Sequence, residues 1–125
     1  MYNPGHFRQT DFLVLFDFIK AHSFGTLIAQ DEGGGMEIAH LPFLVDRTQD
    51  GQGILRCHVA KSNPIWKLAS GGCQVTAIFS GPHTYISPRW YTHPERQVPT
   101  WNYAVVHAIG TARAPVSKDE LRAML

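Results

Sequence analysis

The amino-acid sequence predicts an α+β fold in which antiparallel strands close toward a small barrel. Short runs rich in β-branched and aromatic residues recur along the chain, and glycine-rich turns suited to hairpins separate them. Helical spacing of apolar residues is confined to an opening segment, a short crossover and the last residues. The pattern gives six strands, and 125 residues are a usual length for one domain with a single core.

The opening helix is predicted to begin at Thr10, whose hydroxyl can cap it. Asp11 then lies in the first turn, where a negative charge is favourable. Apolar side chains recur at helical spacing at Phe12, Leu15, Phe16 and Ile19. We expect this stripe to pack against the sheet.

The next segment predicts a β-hairpin. A strand at 26–29 leads into a polar, glycine-rich turn at 31–35. The second strand, at 36–46, contains Pro42, which cannot donate a ladder hydrogen bond. This proline therefore predicts a bulge or an edge position.

A third strand, at 54–59, leads into the crossover helix. Its alternation places Arg56 and His58 on one face. The helix is predicted to begin at Ser62 and has Pro64 in its first turn, where a missing N–H costs nothing. A pair of glycines ends it.

The last half of the chain predicts three further strands and a final helix. In order these are a strand at 74–80, a strand at 84–87, an irregular loop at 89–99, a strand at 101–113 and a helix at 117–125. Gly110 predicts a bulge or kink in the last strand. Ser117 and Glu120 have the spacing of a capping box. Because the final helix stops in its third turn, we expect the natural chain to continue.

Composition and charge exclude several classes of protein. Hydrophobic residues make up 44% and charged residues 17%, which is too apolar for a disordered chain and favours a buried partner surface. The net charge is +1 and no basic stripe is present, so charge gives no support for direct nucleic-acid binding. The sequence predicts neither a signal peptide nor a transmembrane helix. A cytoplasmic location is therefore expected. Cys57 and Cys73 have no metal-ligand spacing and are predicted to be reduced core residues.

The first candidate site lies between the third strand and the crossover helix. Lys61, Ser62 and Asn63 place a cation, a hydroxyl and an amide beside free N–H groups of a helix start. Such a start suits the phosphate of a mononucleotide. The alternative is that Ser62 or Asn63 only caps the helix and that Lys61 is solvated.

The second candidate is the segment 81–91, which is rich in aromatic residues and contains two prolines. Tyr85, Arg89, Trp90 and Tyr91 are the residue types that a planar flavin ring requires. The same types also pack into cores and dimer interfaces, and the sequence leaves both interpretations open.

The third candidate is the face of the last strand that carries Trp101, Tyr103 and His107, which can line a pocket or a subunit interface. His40, His58 and His107 are more typical of hydrogen-bonded strand histidines than of metal ligands. No nucleophile or general base can be identified, so neither a catalytic residue nor a metal site is predicted.

A set of motifs occurs in a specific order along the chain. They are Met1-Tyr2-Asn3-Pro4, Phe24-Gly25-Thr26-Leu27, His40-Leu41-Pro42-Phe43, Arg56-Cys57-His58-Val59-Ala60-Lys61-Ser62-Asn63-Pro64, Tyr85-Ile86-Ser87-Pro88 and Pro99-Thr100-Trp101-Asn102-Tyr103. Together they resemble the PaiB-type FMN-binding negative transcriptional regulators. The resemblance extends from Met1 to about Ala112.

This resemblance implies an antiparallel six-stranded split β-barrel with an N-terminal helix and a short crossover helix, similar to pyridoxamine-phosphate oxidases and flavin reductases. It implies a bacterial homodimer that holds FMN near the subunit interface and represses transcription. A flavin- or haem-dependent oxidoreductase on the same barrel is the alternative. Family members extend further, so residues 1–125 are expected to be a single domain that lacks the family's C-terminal portion. No helix-turn-helix is visible, so regulation can be indirect and direct DNA binding stays open.

The resemblance also implies roles for individual residues. It places Lys61, Ser62 and Asn63 at the phosphate of FMN, with Arg56 and His58 near the same anion. Further candidates for the flavin ring, its ribityl chain or the partner surface are Tyr85, Ser87, Arg89, Trp101 and His107. Arginine is frequent in the family where this chain has Lys61, and lysine keeps the charge without the bidentate fork.

Overall fold

Two antiparallel sheets and three helices make up the computed structural model, which describes residues 1–49, 51–113 and 117–122. In chain order the elements are α1 (Phe12–Ala21), β1 (Phe24–Gln30), β2 (Met36–Pro42), β3 (Leu44–Arg47), β4 (Gly53–Arg56), α2 (Ile65–Ser70), β5 (Gln74–Ile86), β6 (Thr100–Thr111) and α3 (Lys118–Arg122). Short 3-10 turns occur at Gly5–Phe7, Pro88–Trp90 and Pro94–Arg96. The predicted α+β class is confirmed.

The larger sheet has the strand order β2-β1-β5-β6, and β3 and β4 form a separate two-stranded sheet. Every pairing is antiparallel. The predicted hairpin turn at 31–35 is confirmed, because Asp31 and Gly35 close it with a backbone hydrogen bond of 2.9 Å. The strands of the described residues do not close into a barrel: they form a four-stranded sheet and a hairpin.

The opening helix begins one residue later than predicted. Asp11, not Thr10, is the N-cap, since its Oδ1 accepts a hydrogen bond of 2.8 Å from the N–H of Leu13. Phe16 and Ile19 are buried as expected from the apolar stripe, but Phe12 in the first turn is 63% exposed, so the stripe packs only in part. The predicted strand at 54–59 is shorter and ends at Arg56, although the alternation of exposure continues to residue 59.

The prediction of one strand at 36–46 is wrong. Strand β2 lies at the edge of the sheet and ends at Pro42, after which the chain turns inward. The N–H of Phe43 donates a hydrogen bond of 2.8 Å to the carbonyl of Ser23, and the Phe43 ring packs edge-on against Phe79 at 5.2 Å. This long-range contact separates β2 from β3.

The prediction of separate strands at 74–80 and 84–87 is also wrong, because both belong to β5. The register against β6 shifts between Ser80 and His83, which marks a bulge. Gly81 lies in this bulge against α1: a Cβ on Gly81 would lie 2.5 Å from Cζ of Phe18. The bulge therefore needs a residue without a side chain.

The irregularity predicted at Gly110 is absent from the described strand. Gly110 lies opposite Val75 in continuous register, so the bend of this strand pair occurs at the bulge of β5 instead. The predicted irregular loop contains two 3-10 turns. The final helix is described from Lys118 to Arg122, and the predicted continuation to Leu125 lies outside the described residues.

The hydrophobic core covers one face of the four-stranded sheet. It consists of Ile19, Leu27, Ala29, Ala39, Leu41, Phe43, Ile65, Ala77 and Phe79. Helices α1 and α2 contribute Ile19 and Ile65, and the β3–β4 hairpin packs partly buried apolar residues against the same cluster. Cys57 and Cys73 are free and half-buried at its margin, which confirms the prediction of reduced core cysteines.

The opposite face of the sheet carries apolar side chains that remain open to solvent. Because paired residues point to the same side, the register places one set of residues from all four strands together. Its most exposed apolar members come from three of these strands: Phe24 of β1, Met36 and Ile38 of β2, and Tyr103 and Ile109 of β6, with exposed fractions between 55% and 73%. We call this surface the open sheet face.

Candidate functional site

A pocket of about 420 Å³ lies where the bulge of β5 faces β6. This volume is within the usual range for small-molecule sites. The pocket is lined by Met1, Ser80, Gly81, His83, Trp101, Tyr103, Ala104, Val105 and His107. It is lined mainly by apolar and aromatic residues, and we call it the aromatic pocket.

Three rings form one wall beside this pocket. The indole of Trp101 lies beside the imidazole of His83 in nearly the same orientation, with centroids 5.7 Å apart and ring planes at 28°. Tyr85 lies directly opposite Trp101 in the ladder, with ring centroids 6.2 Å apart. The indole N–H of Trp101 also donates a hydrogen bond of 3.2 Å to Nδ1 of His83.

The bulge determines which side chains reach the pocket. Ser80 lies opposite Val105, and His83 lies opposite Tyr103, so β5 advances three residues while β6 advances two. Without this extra residue, His83 and Tyr85 would alternate onto the core side. The bulge therefore turns them toward the same side as Ser80.

The structure brings together part of the predicted set. Trp101 and His107 line the aromatic pocket, and Tyr85 contacts Trp101. His83 also lines it but was not among the predicted site residues, although it lies in the aromatic-rich segment 81–91. The available signal was the Gly81-Pro82 pair, which marks a bulge inside a strand pattern.

Arg56 and His58 lie in a second, smaller pocket of about 170 Å³. Cys57 lies between them, and burial raises the pKa of its thiol, which keeps it protonated at neutral pH. The guanidinium of Arg56 forms a half-exposed ion pair with Asp46. Arg56 is thus already partnered by a carboxylate.

The segment before α2 lines neither of these pockets. Asn63 caps the helix, since its Oδ1 accepts a hydrogen bond of 3.1 Å from the N–H of Ile65. The indole of Trp66 donates a hydrogen bond of 2.6 Å to the carbonyl of Lys61 and so fixes the turn. Lys61 and Ser62 are exposed, and their side chains have no hydrogen bond or ion pair with any residue that the structure describes.

Ser87 and Arg89 lie together in the 3-10 turn that follows β5. The hydroxyl of Ser87 accepts a hydrogen bond of 3.3 Å from the N–H of Arg89, and the Arg89 side chain is exposed. The ten predicted residues thus fall into four places rather than one: the aromatic pocket, the smaller pocket, the turn before α2 and the turn after β5.

The histidines of the sheet are not grouped for metal binding. Within residues 1–49, 51–113 and 117–122, no cluster of three or more His, Cys, Asp or Glu side chains has a geometry suited to a metal ion. Nδ1 of His40 lies 3.0 Å from the hydroxyl of Thr26, as a hydrogen-bonded strand histidine does. None of the described helices is long and apolar enough to span a bilayer.

The residues of the aromatic pocket fit the ring of a flavin better than its phosphate. Flat walls and a few polar groups, namely Ser80, His83 and His107, suit a planar conjugated ring. No lysine or arginine is among the residues that line the pocket. A phosphate attached to the same ligand would need a cation from outside it.

Comparison with known proteins identifies the family. The family described as "Putative FMN-binding domain" matches residues 1–125, the whole chain. The chain belongs to the PaiB-type family of FMN-binding domains. This membership confirms the resemblance found in the motifs.

Proteins similar to this chain occur in bacteria and in fungi. "Protease synthase and sporulation protein PAI 2" of Bacillus subtilis is 37% identical over 121 residues, which cover 97% of this chain and 56% of that protein. "Uncharacterized protein YKL070W" of Saccharomyces cerevisiae is 28% identical over 133 residues, which cover 90% of this chain and 78% of that protein. The chain therefore spans little more than half of the length of the Bacillus relative.

Proposed function

We propose that this chain is the FMN-binding part of a PaiB-like negative regulator of transcription. The observation that carries the proposal is the aromatic pocket of about 420 Å³ in a chain whose full length matches the FMN-binding family. The isoalloxazine ring lies against Trp101, with Tyr85 extending the wall and His107 at the opposite lining. FMN supplies a redox-active or spectroscopically visible ring, and the chain binds and orients it.

In the proposed homodimer, the phosphate of FMN is held outside the aromatic pocket by Lys61 and Ser62 of the second copy, because α2 of the same chain packs on the core face of the sheet and the aromatic pocket lies on the opposite face. Both side chains are exposed and without a described partner, so their charge and hydroxyl are available to an anion. Asn63 is occupied as the helix cap and contributes by holding the turn. Arg56 and His58 form a second polar group nearby in sequence, and Ser87 and Arg89 lie along the ribityl chain or the partner surface.

The protein acts as a homodimer through the open sheet face. Apolar side chains on this face, Ile38 and Ile109 among them, are more than half exposed in the single chain. Exposed apolar side chains on one sheet face favour an interaction surface, and a two-fold dimer buries the same face on both copies. We infer that the four-stranded sheet and the β3–β4 hairpin are the two parts of a split barrel completed in this assembly.

Regulation follows from flavin binding rather than from direct DNA recognition by this part of the chain. The name of the Bacillus relative refers to protease synthesis and sporulation. The net charge of +1 offers no basic surface for DNA, so we place the DNA contact, where one exists, elsewhere in the assembly. The protein is placed in the cytoplasm, where FMN and transcription are both present.

An absorbance and fluorescence titration with FMN, run beside riboflavin, tests the proposal. We expect saturable binding that prefers FMN and is abolished by Trp101→Ala, which removes the main wall of the aromatic pocket. Trp90→Ala is the matched control, because Trp90 is 67% exposed and does not line this pocket. Wild-type protein that binds neither flavin contradicts the proposal.

A further inference from the structure

The hydrogen bond between Trp101 and His83 fixes the protonation pattern of the imidazole. Indole Nε1 has one hydrogen and no acceptor lone pair, so it can act only as a donor. Nδ1 of His83, 3.2 Å away, must therefore be the acceptor and carry no proton. The neutral ring then carries its proton on Nε2.

The orientation of the ring is also fixed. The hydrogen bond to the nearly parallel indole of Trp101 holds the imidazole, and the bulge of β5 brings His83 to the pocket side of the ladder. Nε2 has no hydrogen-bond partner among the residues that the structure describes. The ring thus carries one N–H without a described partner, on a residue that lines the aromatic pocket.

We propose that His83 is a ligand-binding residue of the aromatic pocket. Its Nε2–H donates a hydrogen bond to an acceptor atom on the planar ring, a carbonyl oxygen or an unprotonated ring nitrogen of the kind that a flavin presents. Trp101 acts through His83 as a positioning residue, because its indole N–H holds the imidazole in the donating tautomer. This inference rests on the proposed flavin site and identifies the group that orients the ring within it.

Two substitutions test the roles of the two nitrogens of His83 separately. In His83→Gln the side-chain amide reaches the position of Nε2 and keeps a donor toward the ligand. In His83→Asn the amide oxygen reaches the position of Nδ1 and keeps an acceptor for Trp101, but the donor toward the ligand is lost. Both variants lose the imidazole ring, so each controls for the other.

The tautomer can be measured without any flavin. In ¹⁵N NMR spectra of the full chain, we expect the His83 resonances, assigned by their loss in His83→Asn, to show the Nε2–H form. In Trp101→Phe, which keeps an aromatic ring but no N–H, the same resonances should show a mixture of both tautomers. A wild-type His83 in the Nδ1–H form overturns the inference, as does a tautomer that Trp101→Phe leaves unchanged.

The ligand role is then measured by flavin titration of the same proteins. We expect His83→Asn to weaken binding about five- to tenfold, as the loss of one hydrogen bond does, and His83→Gln to weaken it less. Equal affinities for His83→Asn and wild type overturn the role of His83 while the flavin site stands. A wild-type chain that binds no flavin overturns the proposed function, and the flavin role of His83 fails with it.

Discussion

Replacing Gly81 with alanine tests the bulge that turns β5 toward the pocket. A Cβ at this position would lie 2.5 Å from Cζ and 2.7 Å from Cε2 of Phe18, and 3.2 Å from Nε2 of His22. Phe18 is packed against the core, so its ring can move away only by giving up those contacts. Overpacking of this kind costs about 1–3 kcal/mol, and we expect Gly81→Ala to lower the free energy of unfolding by that amount.

The measurement is urea denaturation of wild type and Gly81→Ala, followed by tryptophan fluorescence. Gly110→Ala is the matched control, because it lies in the paired strand and a Cβ there meets no atom within 4 Å. We expect this control to change the free energy of unfolding by less than about 0.5 kcal/mol or to raise it slightly. Gly81→Ala with the stability of wild type would refute the packing of Phe18 against the bulge, and with it the reason given for the orientation of His83.

Three further predictions concern the phosphate, the dimer and the buried thiol. Lys61→Ala should weaken the binding of FMN about tenfold and leave the binding of riboflavin almost unchanged, because riboflavin has no phosphate. Lys67→Ala, on the exposed side of α2, is the control and should change neither affinity. An equal loss of affinity for both flavins in a titration counts against the phosphate role. Ile109→Asp should weaken self-association by at least about tenfold in sedimentation experiments, because the dimer would bury an unpaired charge. The control, Thr92→Asp at an exposed position, should leave self-association unchanged. Burial raises the pKa of the Cys57 thiol, so the folded state disfavours the thiolate. The protonated thiol therefore contributes to stability below the pKa of an exposed thiol, about 8.5, and this contribution is lost as the pH rises above that value. In wild type the free energy of unfolding should fall between pH 7.5 and 10, and the fall should be smaller in Cys57→Ala. An equal fall in both proteins would exclude Cys57 as its cause.

Local patterns in the sequence predicted the elements that depend on neighbouring residues. The apolar stripe of α1 and the glycine-rich turn after Asp31 are both found, because helical periodicity and turn chemistry act within a few residues. The free state and partial burial of Cys57 also followed from its position in an apolar run. The α+β class could therefore be derived from the chain alone.

Contacts between distant segments explain the errors. The strand predicted at 36–46 ends at Pro42 because Phe43 bonds to Ser23 and packs on Phe79, neither of which is its neighbour in sequence. The continuity of β5 depends on the contact of Gly81 with α1, about 60 residues earlier. No local pattern encodes such pairings.

The candidate site was predictable only in part, for the same reason. Alternation along β6 correctly placed Trp101 and His107 on one face, since that strand is regular. His83 was missed because the sequence predicted a break between strands at 81–83, whereas this segment is a bulge within the continuous strand β5. The position of Lys61 relative to the aromatic pocket depends on tertiary structure and assembly, which spacing does not determine.

The central claim is that a flavin ring binds against Trp101 in the aromatic pocket. The chain has three tryptophans, so a ¹H–¹⁵N spectrum of the full chain resolves three indole N–H signals, which single Trp→Phe variants assign. During titration with FMN we expect the Trp101 signal to move most, because the ring current of the flavin acts directly above it, while the Trp90 signal stays in place. The Trp66 signal shifts less, since its indole N–H is bonded to the carbonyl of Lys61 beside the phosphate. Movement of the Trp66 or Trp90 signal with Trp101 unchanged would contradict the account and place the flavin elsewhere.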